Sequence, residues 1–353
     1  EGTIGGRTST SDPDNPGDPC ADGVCEPDDA FPAATSAYPR LSHGQYENTL
    51  RDLFGLTEPP GLATTFESDP SGTTAFDNDV TVLQVTPNLW QDYQTAAETM
   101  AERLLTDAEA LGRLTEGLPA GEPERTEAFA ARFLRQAFRR PVTTEDTAPF
   151  VRLANEATTH YPDAPVDEAR VVMIVQAALQ SPHFLYRDES GEADAEGLVA
   201  LDDHQLASRL SYTLWDSMPD DELFRAAEAG ELTSDEGLRA QAARMLDDPK
   251  AATKIRSFHS KLFDLGHYED VELEGYPEDI GHTLRAEAEA FIDDVLLEND
   301  GGIRELYTAP YTYVNEDTAP LYGLEGTYGP ELERADLDPA QRAGLFTQPG
   351  FLA

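Results

Sequence analysis

His183 and Arg187 stand four residues apart in SPHFLYR, at the end of the most apolar stretch of the chain. An arginine so placed can hold a carboxylate through two parallel hydrogen bonds. A histidine beside it can serve as acid, base or ligand near neutral pH. The same residues have a plainer use. Pro182 can end a helix, His183 can satisfy the carbonyls left open there, and Arg187 can pair with a buried acid. Arg209, in RLSYTLWDSMPDDEL, is a further candidate. Its neighbours read as structural. Leu206, Leu210, Leu214 and Trp215 form an apolar stripe. Asp220 and Asp221 suit the first turn of the next helix, where the helix dipole favours negative charge.

Glu287 and Asp294 are seven residues apart, hence on one side of a helix. With His259 they form a candidate carboxylate–histidine metal set of a helical bundle. No Glu-x-x-His occurs in the chain, which argues against a di-iron version. His259 also falls at the edge of an apolar face, between Ile255 and Leu262, where a core histidine is the plainer reading. His43, His204, His267 and His282 fall in loops or at helix starts and read as surface residues. No motif names a cofactor: Gly-x-Ser-x-Gly, phosphate-loop and dinucleotide patterns are absent. Cys20 and Cys25 lie in a Pro/Gly/Asp-rich stretch without a second ligand pair. They read as a small disulfide loop of an exported protein rather than a metal site.

These candidates sit in a strongly acidic chain. Asp and Glu number 68 against 25 Lys and Arg, a net charge of −43, and the lysines are Lys250, Lys254 and Lys261 alone. The acids run along the whole length, so the charge belongs to the folded surface. Such a field repels nucleic acid and anionic lipid. Its self-repulsion is relieved by salt, so a salty medium suits it. No apolar run reaches the ~20 residues that span a bilayer.

The elements that must position the candidates are helices. Ser42 and Gln45 make a capping box for a first helix, which Gly55 stops. Thr86 and Pro87 open a second, and Phe129, Phe133, Leu134 and Phe138 line a third that Pro141 ends. Thr143 or Thr144 starts a fourth. Val171–Leu179 is apolar nearly all round, so it is expected to be fully buried at the centre. Helices resume near 202–216, 219–229, 235–247, 250–264 and 283–298, with Tyr311–Val314 as the best strand candidate. The fold expected is mainly α and multi-helical, in one or two helical domains behind an extended tail. Residues 1–36 read as a flexible Pro/Gly/Asp-rich tether, 37–190 as one helical domain and 191–353 as a second.

Several segments together carry a resemblance: LSHGQYENTLRDLFGL, FDNDVTVLQVTPNLWQDYQTAAETMA, FLRQAFRRPVTTED, LQSPHFLYRDE, LASRLSYTLWDSMPDDEL, YTYVNEDTAPLYGL and GLFTQPGFLA. In this order they resemble the planctomycete-type family of exported proteins built from consecutive domains of unknown function, which myxobacteria also carry. The resemblance covers Tyr38 to Ala353. It implies export to the periplasm or cell surface, often as a lipoprotein anchored through a cysteine preceding Glu1, and a chain continuing beyond Ala353. The partners it implies are a C-terminal fragment of the same precursor or another envelope protein, with Leu345, Phe346, Phe351 and Leu352 against a shared apolar groove. Nucleic acid is excluded by charge. The function expected is a cell-surface or periplasmic binding and assembly module. The alternative is an exported enzyme or redox accessory, and it requires His183, Arg187, Arg209, His259 and Glu287 to line one pocket.

Overall fold

The computed structural model describes residues 38–69, 76–80, 82–192, 194, 198–299 and 301–353. The tail, and with it the pairing of Cys20 and Cys25, lies outside the described residues. Ser36–Gly191 and Leu201–Ala353 form one compact unit, and Glu192–Ala200 falls in another. The fold is mainly α, as expected.

Helix α1 (His43–Phe54) begins and ends as its sequence dictates. Ser42 accepts the Gln45 N–H, Gln45 reaches back to the Ser42 N–H, and Gly55 closes the helix at φ +61°. Helices α2 (Pro87–Thr106), α3 (Ala108–Thr115), α4 (Glu124–Phe138) and α5 (Thr144–Ala154) follow, then the short α6 (Ala157–His160). Thr86 caps α2 and Thr143 caps α5. Helix α7 (Val166–Leu179) is central and packs against α2, α4, α5 and α6. Val172, Ile174, Val175, Ala178 and Leu179 are fully enclosed, while Gln176 and Ala177 are half-buried. Complete burial thus holds for all of the predicted stretch except those two.

Short α8 (Pro182–Leu185) redirects the chain after α7. The carbonyls of this turn are satisfied by Arg139. Its Nη2 donates to the carbonyls of His183, Phe184 and Tyr186 at 3.0, 2.9 and 2.8 Å. Arg139 itself ends α4 with φ +58°, so a positive-φ residue rather than Pro141 stops that helix.

Helices α9 (Asp203–Leu214), α10 (Asp221–Glu228) and α11 (Asp235–Leu246) close around Trp215 with Leu206, Leu210 and Leu214, the stripe read from sequence. Asp220 caps α10 and also pairs with Arg244 at 2.8 Å. Helix α12 (Pro249–Leu262) precedes α13 (Ile280–Asp293), which continues as a π-helical turn over Asp294–Glu298. Then come α14 (Ile303–Thr308), strand β1 (Tyr311–Val314), strand β2 (Glu333–Asp336) and α15 (Pro349–Leu352). The two strands pair antiparallel with Tyr311 opposite Asp336. Near the end of the chain Leu345 is buried, whereas Phe346, Phe351 and Leu352 keep partial exposure. Among the described residues no helix is long and apolar enough to cross a membrane.

Candidate functional site

Helix α12 reads PKAATKIRSFHSKL and contains no Asp or Glu. Every other helix of eight residues or more carries at least one. All three lysines of the chain lie on it, with Arg256 and His259. Asp248 starts the helix from outside by accepting the Lys250 N–H at 2.8 Å. The spacing of its residues sets two faces. Lys254, Ser257, Phe258 and Lys261 fall at i, i+3, i+4 and i+7, one continuous stripe.

That stripe forms one wall of a cleft of about 350 Å³. Gln45 of α1, the Phe76–Asn78 segment, Arg187, and Arg209, Tyr212 and Thr213 of α9 complete the lining. Four cations therefore meet there, Arg187, Arg209, Lys254 and Lys261, with Asp77 as the one acid among the described lining residues. Each cation has an acid beside it. Glu189, nine-tenths buried, lies 3.5 Å from Arg187 and 3.3 Å from Arg209. Lys254 reaches Asp216 and Lys261 reaches Asp77, at 2.8 and 2.7 Å. Asp216 adopts φ +57°, a conformation Asp tolerates, and accepts from Gln45 Nε2 at 3.0 Å as well. The Arg187 guanidinium lies 5.4 Å from the Tyr212 ring centroid. Burial pulls its pKa down, and Glu189 opposes that shift. Phe76 stacks on Phe258 at 5.3 Å, beside the lysines.

The other face of α12 lines a second cleft of about 390 Å³ toward α13, with Arg256, Arg285, Glu289 and Asp293. Ser257 and Lys261 line both clefts.

The remaining sequence candidates go elsewhere. His183 lies against Phe138 at 5.2 Å, on a separate cleft with Tyr38, Arg140 and Asp188. Its pKa is lowered by burial and by the nearby Arg140 charge. His259 Nδ1–H donates to the Ile255 carbonyl, 2.8 Å away, and the half-buried ring packs on Phe258 and Phe263. Asp294 is buried with Arg334 3.7 Å away and Tyr311 and Tyr313 as hydrogen-bonding neighbours. Glu287 is fully enclosed. It accepts from Thr312 at 2.6 Å and from Tyr322, and its Oε2 has no partner. The predicted metal set of His259, Glu287 and Asp294 is not assembled. Among the described residues no group of three or more His, Cys, Asp or Glu stands close enough to hold a metal ion. Of the five residues that an enzyme site was to bring together, only Arg187 and Arg209 share a cleft. His267 and His282 are exposed, as read. His204 is half-buried, and so is His43, which faces Asp69 at 3.3 Å beside the enclosed Arg40. Both are partly covered: His43 packs edge-on against Phe66 at 5.3 Å, and His204 lines a cleft with Arg139 and Asp202.

Three domain models match the chain. PSD3, a protein of unknown function (DUF1587), matches residues 40–106. PSD5, a protein of unknown function (DUF1595), matches residues 125–189. PSD4, a protein of unknown function (DUF1592), matches residues 201–324. These domains form a planctomycete-associated cluster of unknown function. A search of curated proteins and one of solved structures find no match. The cleft draws on all three matched domains. Gln45 and Phe76–Asn78 come from PSD3, Arg187 from PSD5, and Arg209, Lys254 and Lys261 from PSD4. Ligand sites favour such junctions.

Sequence reading found Arg187 and Arg209 but passed over Lys254 and Lys261. The signal was present: every lysine of a chain with 68 acids falls within one acid-free helix. Phe76 and Asn78 carried no signal, because their loop is brought to α12 only by folding.

Proposed function

We propose that this protein is an exported, lipid-anchored envelope module that binds an anionic ligand in the cleft along α12. The observation that carries the reading is the gathering of Arg187, Arg209, Lys254 and Lys261 on one concave surface of a chain whose net charge is −43. Elsewhere such a surface repels anions, so a local reversal of sign selects where one can dock. Glu189, Asp216 and Asp77 stand beside the cations. An incoming anion competes with those acids, so binding is moderate and falls with salt. Export and anchoring rest on the resemblance of the ordered segments to planctomycete-type envelope proteins, and the acidic surface suits a salty exterior.

Titration calorimetry with citrate and polyaspartate tests the cleft. Binding to at least one of them, weakened by raising NaCl from 50 to 500 mM and lost in Arg209→Glu and Lys254→Glu, is the expected result. Absence of binding to any anion refutes the reading. Fractionation of expressing cells tests the location, which requires the protein in the envelope fraction.

A further inference from the structure

We infer that the ligand of this cleft is an acidic polysaccharide, a chain of sugar rings bearing spaced carboxylates, an inference that rests on the anion-binding reading. Three observations fix the chemistry.

The first is the spacing of charge. Lys254 and Lys261 are two helical turns apart on one face, roughly 10 Å along the axis. Arg187 and Arg209 stand on the opposite wall. Ser257 and Lys261 also line the second cleft, where Arg256 and Arg285 lie paired with Asp293 and Glu289. This spread of cations is wider than a small anion needs and suits an extended chain.

The second is the neutral lining. Between the cations stand the Asn78 amide and the Thr213 and Ser257 hydroxyls. Groups of this kind exchange hydrogen bonds with sugar hydroxyls as well as donating to carboxylates. The third is the apolar surface. Phe76 and Phe258 are stacked and line the same cleft, with Phe258 43% exposed. A sugar ring has one face of C–H groups that can pack on an aromatic ring, while its carboxylate meets a cation at the rim. Exposed aromatic surface beside lysines serves a ligand that is charged and apolar in alternation.

Density of charge separates this ligand from nucleic acid. Each strand of a DNA duplex carries one phosphate per 3.4 Å of axis. It would need more cations than this groove holds, and the surrounding acidic surface would repel the remainder. A polyuronate dilutes its charge with neutral ring and hydroxyl surface.

The test uses the full chain and five probes in calorimetry: a galacturonic-acid trimer, monomeric galacturonate, the neutral galactose trimer, citrate and polyaspartate. The acidic trimer is expected to bind at least tenfold more tightly than citrate or polyaspartate, and the neutral trimer not at all. Phe258→Ala should weaken the trimer about tenfold and leave citrate unchanged. Asn78→Ala, on a loop, should weaken the trimer alone and stands in if Phe258→Ala fails to fold. Arg285→Ala should weaken the trimer but not monomeric galacturonate, because only the longer ligand reaches the second cleft. Polyaspartate or citrate binding as tightly as the trimer, with Phe258→Ala and Asn78→Ala harmless, overturns the sugar assignment and leaves the anion cleft standing. Failure of every probe overturns both.

Discussion

Thr312 on β1 donates its hydroxyl to Glu287 on α13 at 2.6 Å, in a place where neither side chain meets solvent. Tyr322 donates to the same oxygen, and Gln348 donates to Thr312 at 3.1 Å. One carboxyl thus joins α13, β1 and the turn before α15. The Oε2 of Glu287, the hydroxyl of Tyr268 and the Oε1 of Gln348 are enclosed without partners.

Burial pushes the Glu287 pKa from 4.5 up to about 7, against the pull of Thr312, Tyr322 and Arg342. The folded state therefore holds a proton that the unfolded state releases between those values. This stabilisation is fully present below about pH 4.5 and is lost as pH rises through about 7. A shift of this size corresponds to roughly 3 kcal/mol. Glu287→Gln keeps the shape and cannot ionise. The melting temperature of wild type relative to Glu287→Gln should fall by a few degrees between pH 5 and pH 8. Parallel curves would show that the carboxyl titrates normally.

Charge repulsion should make the whole fold salt-dependent. With a net charge of −43, stability is expected to rise as the Debye length shrinks from ~30 Å at 0.01 M salt to below 8 Å in seawater-like salt. Thermal melts across that range read it directly. A flat or falling midpoint would mean that the acids are compensated already.

Asp77 is the acid that competes inside the cleft. It sits 2.7 Å from Lys261 and is 44% exposed. An exposed pair of this kind contributes less than about 1 kcal/mol. Asp77→Asn should leave the melting temperature nearly unchanged and tighten binding of the galacturonate trimer several-fold, because Lys261 is freed. Weaker binding would show that Asp77 holds the ligand instead.

Two glycines in helices should respond oppositely to alanine. At Gly281 an added Cβ would lie 2.4 Å from the Tyr268 carbonyl oxygen and 2.8 Å from that of Glu269. Alanine favours a helix by about 1 kcal/mol. Backbone cannot yield to a methyl group, so the clash wins and Gly281→Ala should destabilise by about 1–3 kcal/mol. At Gly44 the nearest atom is Ser42 Oγ at 3.9 Å, so Gly44→Ala should be neutral or stabilising. Denaturant unfolding of both variants checks the contrast.

Local physics determined much of this protein from sequence alone. The Ser42 capping box, the Gly55 stop, the Thr86 and Thr143 caps, the enclosed α7 and the Trp215 stripe depend on neighbours three or four residues away, and each was legible. Strand β1 was legible from its own residues, while β2, with the sequence ERAD, was not, because it exists as a strand only through pairing with β1. Sites obey the second rule. His259, Glu287 and Asp294 had compatible spacing, yet α12 and α13 turn them to different surroundings. Arg139, which no motif singles out, satisfies three carbonyls, since a fixed guanidinium can reach groups 44 to 47 positions away once the chain folds back. The lysine-bearing helix was written in the composition. That Arg187, Arg209 and the Phe76–Asn78 loop should face it was decided by tertiary structure, because a cleft is a property of surfaces that meet and no single segment encodes both walls.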